Sequence, residues 1–305
     1  MKIVIDAEQA TTRLDKVIVE ATGLGRAAVK RLFDSDRVRV GKRVAQKGEL
    51  VPEGREVTID MPEAPPAGPP PAAPEIDLVV LLERADLLVI NKSAGIPTAP
   101  LKAGESGTVV NALLARYPEI AGVGFTSLEP GLVHRLDNGT SGVLVVARTS
   151  SAFDGLVAAL KRGEIEKEYL AICEDQGLSD SGTLDIPLAP HPKDGRRVLA
   201  CLHPRDVSRF KPRPAVTDYQ VIRRAGGLAL VSLHAPKALR HQIRAHLSAV
   251  GCPIVGDVLY GAEEREGLDR HALHASSVRW RGDERVAAFS AKAELPEELA
   301  KLMPA

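Results

Sequence analysis

The sequence predicts an α+β fold. A small N-terminal helix-helix-strand domain is joined by a Pro-rich linker to a mixed, largely antiparallel sheet domain with flanking helices. Three observations predict it. Seven prolines fall within residues 62–74, a composition that removes backbone donors and favours extended geometry, so the stretch reads as a semi-rigid spacer. Beyond it, strand-like and helix-like runs alternate with no G-x-G-x-x-G dinucleotide fingerprint. Within that part, residues 219–223 and 228–234 flank Gly226-Gly227 like the two arms of a hairpin. The expected boundaries are a domain over 1–60, a linker over 61–75 and a domain over 76–305.

The elements follow in order. Thr12 is placed to cap a helix containing Leu14, Val17 and Ile18, which Gly23 or Gly25 ends. A second helix runs from Arg26 to Phe33, with Val29, Leu32 and Phe33 on its apolar side. Arg37-Val38-Arg39-Val40 alternates as a half-buried strand does, Gly41 turns the chain, and Glu56 to Ile59 alternates again. In the larger part, Leu87–Asn91 and Val143–Ala147 read as buried strands. Ala152 to Arg162 reads as a helix capped by Ser150 or Ser151 and stopped by Gly163, with Phe153, Leu156, Val157 and Leu160 on one stripe. His241 to Val250 reads as a helix closed by Gly251, with His241, Arg244 and Ser248 on one side and Ile243, Leu247 and Val250 elsewhere.

Composition narrows the function classes without choosing one. Apolar residues make up 44% and charged residues 26%, as in an ordinary globular protein. Lys+Arg and Asp+Glu each total 40, so any case for nucleic acid rests on where the charges sit. Cys173, Cys201 and Cys252 set up neither a disulfide framework nor a zinc site, which fits a reducing compartment. The first residues carry charge early and have no long apolar core, and no apolar run approaches the ~18 residues of a span. A cytoplasmic monomer, with neither membrane nor metal as partner, is the expectation.

Charge is concentrated locally. From Arg26 to Lys47 eight basic residues face two acidic ones, a local charge of +6, and Arg26 and Lys30 share one helix face. Such a face can neutralise phosphates, although a merely solvated surface would carry the same charges. The pattern says more. Arg13-Leu14-Asp15, Arg26 opening the second helix, and Arg37-Val38-Arg39-Val40 with its short turn resemble the small RNA-binding domain shared with the fourth ribosomal small-subunit protein, over roughly residues 12–60. Here Val40-Gly41-Lys42 lacks the asparagine that usually precedes that glycine. The resemblance implies that Arg26 and Lys30 contact RNA. A second basic stretch, Lys193 to Arg213, has seven basic and two acidic residues and reads either as an RNA contact or as a solvated loop.

The chemistry centres on His134-Arg135-Leu136-Asp137-Asn138-Gly139-Thr140-Ser141-Gly142, which precedes an apolar strand. Asp137 has an adjacent arginine, and small residues let a substrate approach the backbone. An Asp bonded to its own turn would look the same in three letters, and Arg13-Leu14-Asp15 is expected to serve structure in that way. The longer string, with Val143-Leu144-Val145-Val146-Ala147-Arg148, resembles the signature of RluA-type pseudouridine synthases. Three further segments resemble that family in its order: Lys167-Glu168-Tyr169-Leu170-Ala171, the helix His241 to Leu247, and Gly251 to Gly261. The stretch from Arg270 to Trp280 then resembles its final strand, so the resemblance spans roughly residues 77–300. Lys237-Ala238-Leu239-Arg240 stands where the family usually has T-G-R-T, so Arg240 is the candidate for a displaced guanidinium.

The resemblance implies isomerisation of specific uridines to pseudouridine in structured RNA. The glycosidic C–N bond breaks, the base turns, and it rejoins through carbon. With no net redox change or group transfer, no cofactor is called for. Asp137 is implied as the essential carboxylate, acting as nucleophile or as base toward the sugar. Arg244 is its expected cationic partner, since Arg stays charged in a water-poor pocket. Tyr169 is implied to stack on the base and to carry a proton late in the reaction. Arg135 is implied to fill the stack that the base vacates. His134 and Thr140 are assigned to shaping the loop against the substrate, while His191, Cys201 and His203 read as surface or loop residues. Ribosomal RNA of the large subunit is preferred over transfer RNA as target, because the appended small domain is commonest in enzymes acting there. Two rivals remain at this stage: a hydrolase using Ser141, although Gly139-Thr140-Ser141-Gly142 lacks the G-x-S-x-G elbow, and a non-catalytic RNA-binding protein.

Overall fold

The computed structural model describes the backbone of residues 1–22, 26–61 and 69–303, and their side chains except 26–28 and 31. The chain divides into two compact units, 1–67 and 68–305.

The first unit opens with β1 (Lys2–Val4), followed by α1 (Leu14–Thr22), α2 (Arg26–Asp34), β2 (Val38–Val40), β3 (Arg43–Val44) and β4 (Glu56–Ile59). The strands form an antiparallel sheet in the order β1-β4-β2-β3. Leu14, Val17 and Ile18 from α1 meet Val29, Leu32 and Phe33 from α2, and close a core with Val38, Val57 and Ile59. Thr12 does not cap α1; its hydroxyl donates to the Glu8 carbonyl at 3.4 Å. Arg13 and Asp15 form an exposed two-bond ion pair around buried Leu14, a structural use of those three letters. Gly23 and Gly25, the expected helix stops, lie outside the described residues.

The second unit contains β5 (Val79–Glu83), β6 (Leu87–Lys92), α3 (Val109–Arg116), β7 (Ser141–Ala147), α4 (Ser150–Arg162) and β8 (Glu166–Glu174). There follow β9 (Ser181–Asp185), β10 (Leu188–Pro190), β11 (Val198–Ala200), α5 (Pro204–Phe210), β12 (Val216–Ala225) and β13 (Leu228–His234). The chain continues through α6 (Gln242–Ala249), β14 (Leu273–Gly282), β15 (Ala287–Lys292) and α7 (Glu297–Ala300). Among the described residues the large sheet has nine strands in the order β5-β6-β7-β14-β8-β13-β12-β9, with β15 beside β14. Only β7 and β14 pair in parallel, so the sheet is mixed and mostly antiparallel.

The sequence places these elements for identifiable reasons. All seven residues of β7 are buried, as a continuous apolar run demands of a central strand. Gly142 in β7 has φ +115°, and a Cβ there would stand 2.1 Å from the Ala275 carbonyl oxygen, so only glycine allows β14 this close. The N-cap of α4 is Thr149, whose hydroxyl accepts from Ala152 N–H at 3.2 Å, rather than Ser150 or Ser151, which already lie in the first turn. Gly163 ends α4 in the left-handed conformation, as its position suggested.

Two further differences matter for the site. His241 does not belong to α6. It is the N-cap residue, with φ +54°, a left-handed conformation uncommon outside glycine. Val250 follows that helix and is 39% exposed, whereas Ile243 and Leu247 are buried. The Pro-rich stretch is also less of a free spacer than its composition suggests. Asn111 donates to the Pro71 carbonyl at 2.7 Å, Ala73 N–H donates to the Asn111 carbonyl at 3.0 Å, and Ala73 is buried.

Candidate active site

Asp137 sits in the loop that leads into β7, and that loop is fixed from several sides. Thr98 receives Leu136 N–H and donates its hydroxyl to the Leu136 carbonyl at 2.7 Å. Gly95 N–H donates to the Asn138 carbonyl, and Thr140 N–H closes a turn onto the Asp137 carbonyl, both at 3.0 Å. Arg270 donates to the Gly139 carbonyl. Thr140 shares a 2.7 Å hydrogen bond with His271. His134 accepts Val145 N–H at 3.0 Å, and burial pulls its pKa down to about 3, so it is a neutral structural acceptor. His134 and Thr140 thus shape the loop.

Lys92 is a missed member of this scaffold. Its ammonium, only 1% exposed, donates to the carbonyls of Ser93, Asn138 and Thr140 at 2.9, 3.1 and 2.9 Å. Burial pulls its pKa down to about 8, against the opposing pull of the Asp137 charge. Its sequence signal is slight: one lysine closing an apolar strand before Ser93-Ala94-Gly95.

Arg244 reaches Asp137 from α6. Its Nη1 donates to the Asp137 carboxylate at 3.0 Å, while Nε and Nη2 grip Asp257 at 2.7 and 2.8 Å. Burial alone would disfavour the Arg244 charge, but the Asp257 and Asp137 carboxylates outweigh it and hold the guanidinium firmly protonated. Asp257 is 2% exposed, whereas the Asp137 side chain keeps 22% of its surface open. One carboxylate anchors the cation and the other stays accessible.

Tyr260 extends the network. Its ring lies 5.0 Å from the Arg244 guanidinium, and its hydroxyl accepts Val198 N–H at 2.8 Å. The same hydroxyl shares a 3.0 Å hydrogen bond with His241 Nδ1, and His241 Nε2 lies 3.7 Å from the Asp137 carboxylate. Burial, opposed by the Asp137 charge, lowers the His241 pKa and favours the neutral imidazole. Asp257 and Tyr260 both lie in the Gly251–Gly261 segment, which matched as a motif before either had a role.

Asp137, His241 and Arg244 line an open cleft of about 860 Å³ within the second unit. Tyr169 lines it from β8 and is 6% exposed; burial, helped by the Asp137 charge, pushes its phenol well above the usual range, so it remains a proton donor. Among the described lining residues Asp137 is the one carboxylate, against seven Lys or Arg side chains. That ratio suits a polyanion.

The remaining sequence candidates fall at the rim or elsewhere. Arg135 lines the cleft with its side chain 60% exposed and pairs with Glu129 at 2.8 Å. Arg240 also lines it, but its Nη2 donates to the carbonyls of Gly195 and Arg197, tying the 193–197 loop to the turn before α6. Lys30 belongs to the first unit and pairs with Asp34 at 2.9 Å. The Arg26 side chain lies outside those described. Cys201, read as a surface or loop residue, lies in the loop that follows β11 and is buried there, 3% exposed. Ser141 bonds His274, and both are buried.

A buried arginine clamping an accessible aspartate, a protonated tyrosine lining the same cleft and an excess of cationic side chains suit an enzyme that acts on RNA. A family model described as RNA pseudouridylate synthase matches residues 86–249, and the chain belongs to that family. It is an RNA pseudouridine synthase of the RluA type that its motifs resemble. Ribosomal large subunit pseudouridine synthase D of Yersinia pestis is 34% identical over 97% of this chain and 91% of its own length. The uncharacterized RNA pseudouridine synthase YlyB of Bacillus subtilis is 30% identical over 99% and 96%. The solved structure of human RNA pseudouridylate synthase domain containing 1 superposes with a TM-score of 0.57 at 26% identity, covering 73% of this chain and 85% of that one.

Proposed function

We propose that this enzyme isomerises uridine in large-subunit ribosomal RNA, with Asp137 as the carboxylate that acts on the extruded nucleotide. The observation that carries the reading is the 3.0 Å contact between Arg244 and Asp137 at the floor of a cationic cleft. Arg244 keeps Asp137 aligned and favours its ionised form, as either a nucleophile at C1′ or a base at the sugar requires. When the C1′–N1 bond breaks, its electron pair leaves with the base. The base turns, C5 bonds to C1′, the C5 proton departs and N1 takes one up. Atoms and charge therefore balance with no added reagent. Tyr169 supports the base by stacking and handles a proton in the last step.

Arg135 enters the stack that the base leaves, and its exposed, singly paired guanidinium is free to exchange Glu129 for RNA. The first unit, with its sheet and two packed helices, serves as a small RNA-binding domain, in which Lys30 and Arg26 contact phosphate. The ribosomal target is supported by relatives such as ribosomal large subunit pseudouridine synthase D of Yersinia pestis. Transfer RNA is the second choice. Pseudouridine mapping in total RNA from cells with and without the gene tests both. Loss of a large-subunit site, restored by wild type but not by Asp137→Ala, is expected. Loss confined to transfer RNA would overturn the target, and no lost site would overturn the reading.

A further inference from the structure

One buried cation lining the cleft has no task in this chemistry. Lys167 lies on β8 two residues before Tyr169, so both side chains leave the same face of the strand, about 6.6 Å apart along it. Lys167 is 7% exposed and lines the same cleft. Other deeply buried cations of this unit are satisfied. Lys92 has three carbonyls, Arg244 two carboxylates, and Arg270 has Glu298 and three other acceptors. Among the described residues the Lys167 ammonium has neither a hydrogen bond nor an ion pair. Its stem is buried while the ammonium opens on the cleft without a protein partner, so an anionic ligand in the cleft can complete it.

Charge indicates which part of a nucleotide that ligand is. Uracil and ribose are uncharged, and the phosphate is the anionic group. Burial pulls the Lys167 ammonium down to about 8, so it still carries its charge at neutral pH. We propose that Lys167 is a phosphate-binding residue, pairing with the RNA backbone phosphate that flanks the uridine extruded toward Asp137. This rests on the proposed extrusion into the cleft. A phosphate supplies the missing counter-charge, and Lys161 and Lys237 line the same cleft and add to its positive charge.

The test titrates unmodified large-subunit ribosomal RNA transcript with wild type, Lys167→Met and Lys167→Arg over a range of KCl concentrations. Each phosphate neutralised contributes about 0.7–0.9 to the slope of log affinity against log salt. Lys167→Met should flatten the slope by that much and bind about tenfold more weakly, while Lys167→Arg restores most of both. The Met variant should melt no lower than wild type, since it loses an unpaired charge and keeps the aliphatic stem. An unchanged slope with reduced kcat would overturn the proposal in favour of a role at the base. A lower melting temperature with an unchanged slope would overturn it in favour of a packing role. Failure of wild type to form pseudouridine in the transcript would count against the proposed target instead, because the slope is read from binding alone.

Discussion

Arg244 gives Asp137 a single guanidinium nitrogen, and the other two donors that reach carboxylates are locked on Asp257. The cation at the accessible carboxylate is thus positioned by a second, almost fully buried acid. Asp257→Asn should leave RNA affinity near wild type and lower kcat by about 100-fold, the scale of a misplacement near 1 Å. Breaking one partner of so buried a pair should also cost about 3–5 kcal/mol of stability. Single-turnover kinetics and denaturant unfolding read the two effects. A large rise in KM with kcat intact would assign Asp257 to RNA binding instead.

Tyr169 separates stacking from proton transfer. Tyr169→Phe keeps the ring and removes only the hydroxyl, so binding should persist while turnover falls by roughly 10²–10⁴-fold. The phenol is held well above its usual range by burial and by Asp137, so wild type should lose no activity through its ionisation up to about pH 10. Full turnover by Tyr169→Phe would confine the residue to stacking.

Lys92 and Lys167 are both buried and both pulled down to about 8, yet they should respond oppositely to replacement by Met. Lys92→Met leaves three carbonyls without their ammonium and should destabilise by roughly 3 kcal/mol. Lys167→Met removes a charge with no partner and should stabilise the RNA-free protein below pH 8 by up to roughly 3 kcal/mol. The sign follows from proton counts. Between about 8 and the ordinary lysine value, the unfolded chain holds a proton on residue 167 that the folded chain has released, so wild-type stability rises with pH there. Below 8 both states hold it and the whole burial cost is present. The advantage of Met should therefore shrink as pH rises from 8 toward 10.5. Near Lys167 the neutral His134 adds no titration in that window, and Lys92 titrates alike in both proteins and cancels. Denaturant midpoints at pH 7 and pH 10 measure the gap, and a gap that stays constant would contradict the assignment.

How much of this was legible in the sequence depends on how local each feature is. Asp137 sits in one contiguous string, and Arg244 in another whose helical spacing turns it away from Ile243 and Leu247. Asp257 lies thirteen residues beyond Arg244, past a helix end and a turn, so no periodicity joins the two. His241 looked helical because its neighbours are; its φ of +54° comes from the turn before it, where no glycine advertises the change. Lys92 reads as an ordinary strand-end lysine until the loop from Asn138 to Thr140 folds over it. Short strands such as β10 and β11 carry no alternation to read, and Cys201, buried just beyond β11, bonds its N–H to the Pro187 carbonyl just before β10.

The Pro-rich stretch supplies the last prediction. Each unit has its own buried core, so removal of the first should leave the second folded. A chain lacking residues 1–60 should bind ribosomal RNA more weakly, with a flatter salt dependence, while keeping measurable activity on a short RNA. A cut at residue 75 should behave differently. It also removes the Pro71 carbonyl that accepts Asn111 Nδ2 and the Ala73 N–H that binds the Asn111 carbonyl, at the start of α3. Two hydrogen bonds to a buried side chain and its backbone are worth about 1 kcal/mol each, so the shorter chain should be less stable than the longer by roughly 2 kcal/mol. Equal unfolding midpoints for the two truncations would show that residues 61–75 act as spacer alone, and unchanged RNA affinity on removing 1–60 would end the RNA-binding role of the first unit.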